Sequence, residues 1–208
     1  MGRSKDESEL PNDRDEETGF PTAEDRFFED HPRGRGTWAS EWEREHDWYH
    51  HVTGYKYAAD VLIAHVEQTG RVAHKLGPPI VFLYRHHLEL ALKQLARECF
   101  KMLGRNEVAP WGHRLDQLWR LCLSLLVEVS AGDTTAEEVE QTTRLIHEFC
   151  RADPTSETFR YPEDKQGNPS LSGVGDVDLE RVREVVGKIS LLLDCISTDL
   201  SMQEHNAF

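Results

Sequence analysis

The chain has 208 residues, of which 38% are hydrophobic and 30% charged, and its formal net charge is −14 at pH 7. This length predicts one domain with an appendage or at most two small domains, and the charge argues against non-specific nucleic-acid binding over the whole surface. No apolar run approaches the length of a membrane span, and the first residues, MGRSKDESEL, contain no apolar segment of the signal-peptide kind. A cytoplasmic location without membrane contact is therefore expected.

The beginning of the chain is acidic and shows no apolar periodicity. Residues 1–45 hold 14 Asp and Glu against 7 Lys and Arg, which is half of the net charge. Residues 1–36 are predicted to form a largely disordered acidic arm, and residues 37–208 a helical bundle. Trp38, Trp42 and Trp48 follow the arm. They would either pack the first helix onto the bundle or expose an aromatic strip to bases or a partner.

Apolar residues at helical spacing predict about five helices and no strand. The first helix is expected over residues 40–75, with a break near Thr53-Gly54, and Gly77-Pro78-Pro79 should end it because proline removes a backbone donor. The second helix is expected from Ile80 to about Leu103, with Gly104 at its C-terminal cap. The second helix and the next form the hairpin on which the rest of the bundle packs.

The later helices carry recognisable start signals. The third is expected to open at Gly112-His113. Thr134 and Thr135 each precede a Glu by three residues, which is the spacing of a capping box for the fourth helix. Asp176 is the predicted cap of the fifth, whose apolar stripe continues to Leu200. The sequence therefore predicts an all-α, up-and-down bundle.

The cysteines and histidines are candidates for reactive thiols or metal ligands. Each cysteine falls on a separate predicted helix near the apolar stripe, and free buried thiols are expected at Cys99, Cys122, Cys150 and Cys195. His46 and His50 share one helix face, which suits zinc, but no convincing third ligand follows. We therefore predict no metal and no cofactor, and keep a metal-dependent hydrolase as a third hypothesis.

The second helix carries a polar stripe within its apolar pattern. Arg85, Glu89 and Lys93 recur every four residues and share one face. They form either a surface ladder of ion pairs or one wall of a cleft that receives phosphate or a base. His86 and His87 point about 100° apart, so at most one of them faces that cleft.

Two further segments supply candidate chemistry. His113, at the start of the third helix, either packs locally or acts as a neutral base. The segment Phe159-Arg160-Tyr161-Pro162 lies in a loop of residues 151–176, a length that is often functional. Arg160 would either contact a phosphate or tie the loop down through Asp153, Glu163 or Asp164.

The hairpin resembles the HEPN superfamily (higher eukaryotes and prokaryotes nucleotide-binding) over about residues 55–200. The resemblance rests on the Arg/His-rich start, on Leu88-Glu89-Leu90 with Lys93 four residues after the Glu, and on Gly112-His113-x-Leu115-x-x-Leu118. It implies an up-and-down bundle, often a homodimer, in prokaryotic defence or toxin–antitoxin systems. Many members are metal-independent ribonucleases, and others bind nucleotide or RNA without cleaving it.

The ribonuclease signature of that family is an Arg followed by His with four to six residues between them. Arg26/His31, Arg44/His50 and Arg44/His51 fit, but chance alone gives about three such pairs at this arginine and histidine content. All three lie ahead of the bundle core, whereas the family motif lies in its later helices. Catalysis would instead need Arg160 to stabilise the phosphate, with His113 or His86 as base.

The leading hypothesis is an HEPN-like protein that binds RNA or a nucleotide, with ribonuclease activity possible. Arg160 and His113 are the candidate catalytic residues, and the candidate binding residues are Arg85, His86, Glu89, Lys93 and Tyr161. The expected partners are RNA or a nucleotide, a second copy of the chain, and a partner protein of a defence or toxin–antitoxin system. The alternative is a non-catalytic interaction module that uses the acidic arm and the Trp-rich first helix.

Overall fold

The structure, a computed structural model, describes residues 48–107, 112–129 and 135–206. It confirms the all-α, up-and-down bundle of five helices: α1 Trp48–Thr69, α2 Ala73–Met102, α3 Leu115–Glu128, α4 Ala136–Ala152 and α5 Leu179–Asn206. The only β-type pairing in these ranges is an isolated bridge between Glu163 and Pro169. The acidic arm of residues 1–36 lies outside them.

Helix α2 is the centre of the bundle. It packs against α1, α3 and α5, while α4 packs on α3. Thirteen of its 30 residues are buried, and all of them lie between Ile80 and Phe100. Its apolar core positions are Ile80, Val81, Tyr84, Leu88, Leu92, Leu95, Ala96, Cys99 and Phe100. Helix α2 therefore organises the fold, and α3, the other half of the predicted hairpin, packs on α2 and α4.

The boundary between α1 and α2 differs from the sequence prediction. Helix α1 passes through Thr53-Gly54 without a break and ends at Thr69. Gly70 (φ 59°) and Val72 (φ 60°) form the turn in left-handed backbone, a conformation that glycine adopts without strain. Helix α2 then starts at Ala73 and contains Pro78 and Pro79 in its second turn. The predicted stop is wrong: each proline removes one backbone donor, but the turns that follow are buried against α1, α3 and α5, and this packing stabilises the helix.

The end of α2 follows the prediction. Gly104 has φ 64° and its N–H donates to the carbonyl of Lys101 at 3.0 Å. The N–H of Arg105 donates to the carbonyl of Phe100 at 2.9 Å, which completes a Schellman motif. Helix α3 begins at Leu115, slightly later than expected.

The starts of α4 and α5 show one correct and one wrong prediction. Thr135 and Glu138 form the capping box: the Glu138 N–H donates to Thr135 Oγ1 at 3.2 Å, and the Thr135 N–H to Glu138 Oε2 at 2.8 Å. Asp178, and not Asp176, caps α5, because its Oδ1 accepts from the N–H of Arg181 at 3.1 Å. Both aspartates precede the apolar stripe, so the sequence alone does not choose between them.

A buried histidine joins three helices. His87 contacts the carbonyl oxygen of Val52 on α1 through Nδ1 at 2.8 Å and Ser190 Oγ on α5 through Nε2 at 2.6 Å. Burial lowers the pKa of His87, so its ring is neutral near pH 7. His86 points elsewhere, which agrees with the predicted divergence of the two side chains.

The four cysteines are free thiols. Cys99 and Cys122 are buried as predicted, and burial raises the pKa of Cys99 to about 11. Cys150 is half-buried, and Cys195 is exposed, so the prediction of burial is wrong there. Cys195 lies about 100° around α5 from its neighbour Ile196, which is buried.

The described part of the chain contains neither a metal-binding cluster nor a membrane span. No group of three or more His, Cys, Asp or Glu side chains there is arranged to hold a metal ion. None of the helices there has both the length and the apolar character of a membrane span. His46, half of the candidate zinc pair, lies outside the described residues.

Replacing the cap residue of α4 should weaken the bundle measurably. Thr135→Ala removes the acceptor for the Glu138 N–H and is expected to lower the free energy of unfolding by about 1 kcal/mol. Thr198→Ala, at an exposed position within α5, is the control and should change it by less than about 0.5 kcal/mol. Urea denaturation measures both. Equal effects would contradict a specific role for the cap.

Candidate functional site

A buried network of charges lies on one side of α2. Arg85 and Asp153 are fully buried, and Glu89 and Lys93 are nearly so. Arg85 Nη1 donates to Glu89 Oε2 at 3.1 Å, and Lys93 Nζ donates to Glu89 Oε1 at 2.8 Å. Arg85 Nε lies 3.0 Å from Asp153 Oδ2. Two cations and two carboxylates thus balance each other, and the stripe is not a surface ladder of ion pairs.

His113 is attached to this network from the segment before α3. Its carbonyl oxygen accepts a hydrogen bond from Arg85 Nη2 at 2.6 Å, and its ring Nδ1 lies 2.9 Å from Glu89 Oε1. The side chain is nevertheless 61% exposed. The contact of Nδ1 with the carboxylate orients the ring and directs Nε2 away from Glu89.

Glu89 is ionised because of these donors. Burial raises the pKa of Glu89, but the hydrogen bonds from Lys93 and His113 outweigh burial and hold that pKa below its ordinary value. The carboxylate therefore accepts from Arg85, Lys93 and His113 at once. It is a fixed negative charge that sets the position of His113.

Asp153 connects the network to the long loop between α4 and α5. Its Oδ1 accepts from the N–H groups of Glu157 at 3.0 Å and Thr158 at 3.2 Å. The N–H of Arg160 in turn donates to the carbonyl of Glu157 at 3.0 Å. The angle of the contact between Arg85 Nε and Asp153 Oδ2 falls outside hydrogen-bond geometry, so these two buried atoms depend on charge attraction. The carboxylate that neutralises Arg85 therefore also holds the turn before Arg160.

The loop returns to α2 through an aromatic stack. The Arg160 guanidinium lies 5.7 Å from the ring centre of Phe82 and 5.1 Å from that of Tyr161. Its Nη2 donates to the Tyr161 hydroxyl at 2.9 Å. Phe82 stacks on His86 with ring centres 5.8 Å apart, and Tyr55 of α1 meets His86 edge-on at 4.4 Å. Arg160 thus lies one aromatic ring away from His86.

His86 is held neutral by its surroundings. Burial lowers the pKa of His86, and the positive charges of Lys93 and Arg85 lower it further, while Glu89 acts in the opposite direction. His113 also lowers the pKa of His86. A neutral imidazole can accept a proton or a hydrogen bond near pH 7.

The structure divides the candidate residues into two groups. Arg85 and Glu89 are buried and ion-paired, and Lys93 is nearly buried and is ion-paired too. These three residues lie below the surface of the site. The other candidates reach the surface to differing degrees: His86, His113, Arg160 and Tyr161. We call these four side chains, with Tyr55 and Phe82, the loop–hairpin surface.

Sequence reasoning missed three members of the site. Asp153 was considered only as a partner for Arg160, whereas its partner is Arg85. Phe82 lies one turn before His86, a spacing that brings two rings together on a helix, and this signal was available. Tyr55 comes from α1, and nothing in the sequence indicates its contact with His86.

Comparisons of the chain with protein-family models, with curated proteins and with solved structures find no match. The three Arg-His pairs at ribonuclease spacing each include Arg26 or Arg44, which lie outside the described residues. The site must therefore be interpreted from its own geometry.

Breaking the charge balance should cost far more than breaking a surface pair. Asp153→Asn leaves two buried cations, Arg85 and Lys93, to share the single carboxylate of Glu89 and is expected to lower the free energy of unfolding by about 3 kcal/mol. The matched control is Asp116→Asn, whose partner Arg114 is exposed, with an expected loss below about 1 kcal/mol. Chemical denaturation distinguishes them. A similar small loss in both variants would show that the network contributes little.

The neutral histidines make stability depend on pH. The pKa values of His86 and His87 lie below the ordinary 6.5, so the unfolded chain takes up these protons at a higher pH than the folded chain. The free energy of unfolding should therefore fall as the pH drops below about 6.5.

The check is urea denaturation at several pH values between 5 and 7.5. His86→Gln and His87→Gln should each flatten this fall because neither variant carries the titrating ring. A pH dependence that stays the same in both single variants and in the double variant would be inconsistent with this assignment.

Proposed function

We propose that the chain is an HEPN-like protein that binds RNA or a nucleotide at the loop–hairpin surface. The observation that carries the proposal is the placement of Arg160 on Phe82, beside His86 and above the network that holds His113. A loop distant in sequence from α2 supplies a cation to the same surface as two histidines. This combination of planar cation, aromatic rings and imidazoles suits a phosphate next to a base.

Arg160 has a charge that is available to a ligand. Its hydrogen bonds go to the carbonyl oxygen of Ser156 and the hydroxyl of Tyr161, both neutral. Among the described carboxylates, none lies within ion-pair distance of its guanidinium, in contrast to Arg85, which is neutralised by Glu89 and Asp153. A phosphate would supply the missing counter-charge through charge-assisted hydrogen bonds.

His113 supports a second part of the proposal, metal-independent cleavage of RNA. Its Nδ1 is bound to Glu89, which directs Nε2 away from the network. An imidazole oriented by a carboxylate is the usual form of a general base. In cleavage, the ribose 2′-hydroxyl would attack the phosphorus and give its proton to His113, while Arg160 would stabilise the phosphate charge. The bond from phosphorus to the 5′-oxygen would break, and this oxygen would take a proton from water. Binding without cleavage requires only the role of Arg160.

The family resemblance agrees with this arrangement, because the residues that carry it are those of the buried network. Glu89 and Lys93 form its ion pair, and the segment Gly112-His113 supplies the backbone carbonyl and ring that it holds. A homodimer, a cytoplasmic location and a role in a defence or toxin–antitoxin system belong to the same proposal.

The alternative, a non-catalytic interaction module, depends on the acidic arm and on the Trp strip. Trp38 and Trp42 lie outside the described residues. Trp48 is half-buried and has the guanidinium of Arg97 5.1 Å from its ring centre. The alternative therefore remains a prediction.

The direct test is binding and cleavage of RNA by the wild type beside Arg160→Ala and His113→Ala. Loss of the Arg160 charge should weaken binding of labelled RNA or nucleotide about tenfold or more, because a charge-assisted contact is removed. Arg144→Ala removes an exposed arginine from α4 that pairs with Glu148, and it should bind as the wild type does.

The cleavage arm uses total RNA without added metal. If the wild type cleaves, His113→Ala should abolish cleavage and retain binding. No binding of RNA or of nucleotides by the wild type, at any concentration accessible to the assay, would refute the proposed function.

A further inference from the structure

We infer that the ligand is a single nucleotide unit with one phosphate, whose base and ribose occupy a cavity in the α4–α5 loop while its phosphate meets Arg160. This inference rests on the proposed function and specifies its ligand. It excludes an extended RNA strand as the cognate ligand.

The loop encloses a cavity of about 580 Å³ beside the loop–hairpin surface. Asp164 N–H donates to the Asn168 carbonyl at 2.8 Å, and Ser170 N–H donates to the Pro162 carbonyl at 2.9 Å, so the loop folds back on itself. This volume is in the range of small-ligand sites. These two backbone hydrogen bonds hold one wall of the cavity in place.

The wall chemistry suits a base and a sugar. Residues with neutral donors and acceptors line the cavity, namely Thr158, Tyr161, Asn168, Ser170 and Ser172, of which the Asn168 amide already donates to Asp164. Hydroxyl and amide groups match the polar edges of a base and the hydroxyls of ribose, and the Tyr161 ring offers a face for stacking. Tyr161 is 49% exposed and has the Arg160 guanidinium 5.1 Å from its ring centre, so a base would stack on the ring face opposite Arg160.

Tyr161 joins the cavity to the cation. Its side chain lines the cavity, and its hydroxyl accepts a hydrogen bond from Arg160 Nη2 at 2.9 Å. A base against Tyr161 would therefore have its phosphate within reach of Arg160. Tyr161 supplies the stacking face, and the residue before it, Arg160, supplies the charge.

The surface charges argue against a longer strand. Strand binding requires a series of cations that release counterions along successive phosphates. Most exposed basic side chains of the described residues are instead within 4 Å of a carboxylate of this same chain. These are Lys101, Arg105, Arg114, Arg144, Lys165, Arg181 and Lys188, joined by the half-buried Lys56 and Arg183. Among the described residues, the exposed cations without a carboxylate partner are Arg71, Lys75, Arg120, Arg151 and Arg160. Lys165 lines the cavity and is paired with Glu157 at 3.2 Å.

Carboxylates at the cavity also limit the number of phosphates. Glu157, Glu163 and Asp164 line it, and hydrogen bonds from the side chain and backbone of Asn168 keep the pKa of Asp164 below its ordinary value. These negative charges repel any phosphate beyond the one that Arg160 neutralises. A monophosphate is therefore favoured over a triphosphate.

The test compares ligand length and charge on the full chain. Titrations use the four ribonucleoside monophosphates, the matching triphosphates, and oligoribonucleotides of increasing length. The expected result is binding of at least one monophosphate, weaker binding of its triphosphate, and no gain with strand length beyond the statistical factor. The salt dependence of log K should have a slope of about −1 or shallower, which corresponds to one phosphate contact.

Two variants separate cavity binding from charge attraction. Ser172→Leu fills the cavity without changing charge and should weaken monophosphate binding about tenfold or more, as should Arg160→Ala. Thr198→Leu, on the exposed face of α5, is the matched control and should leave binding unchanged. Thermal melts of all variants show whether each is folded.

The outcomes distinguish this inference from the proposed function. Affinity that rises steeply with strand length, a salt slope steeper than about −3, or a triphosphate bound as tightly as the monophosphate would overturn the single-phosphate ligand while leaving RNA binding intact. Wild-type binding by Ser172→Leu in its folded state would overturn the cavity assignment. No binding of any of these probes would remove the proposed function itself.

Discussion

The ion pairing of Arg85 inside the bundle is the constraint on which the rest of the structure depends. A buried guanidinium is tolerated only when counter-charges and acceptors surround it, and here they come from three separate segments. Glu89 is one turn further along α2, His113 precedes α3, and Asp153 follows α4. The chain must therefore bring the ends of two other helices to the middle of α2, which fixes where the candidate site forms.

This arrangement explains why the polar residues of α2 divide into supporting and accessible groups. Arg85 and Glu89 have no exposed surface to offer a ligand, and their charges act on their neighbours instead. Through them the imidazole of His113 is oriented and the turn before Arg160 is anchored. The accessible groups are thus positioned by a buried network whose charges are paired with one another. This network limits rearrangement of the site during binding.

The bundle was largely predictable because its signals are local. Helical apolar spacing, the cap at Gly104 and the capping box at Thr135 depend on residues close in sequence. The start of α2 was mispredicted because apolar periodicity shows neither the tertiary packing that stabilises the helix beyond Pro78 and Pro79 nor the left-handed turn at Gly70. The contacts of Arg85 with Asp153 and of Arg160 with Phe82 join distant segments, which spacing rules do not address.

The two roles of Asp153 also affect how the α4–α5 loop moves. Opening the turn at Glu157 and Thr158 would require its carboxylate to give up two backbone donors while it still faces Arg85. Local opening of this turn therefore leaves a buried carboxylate without two of its donors, which is costly. The amides of Glu157 and Thr158 should exchange with solvent more slowly than the amides of the rest of the loop, and proteases should spare the turn. A surface loop of this length is thus protected at the turn that contacts the core.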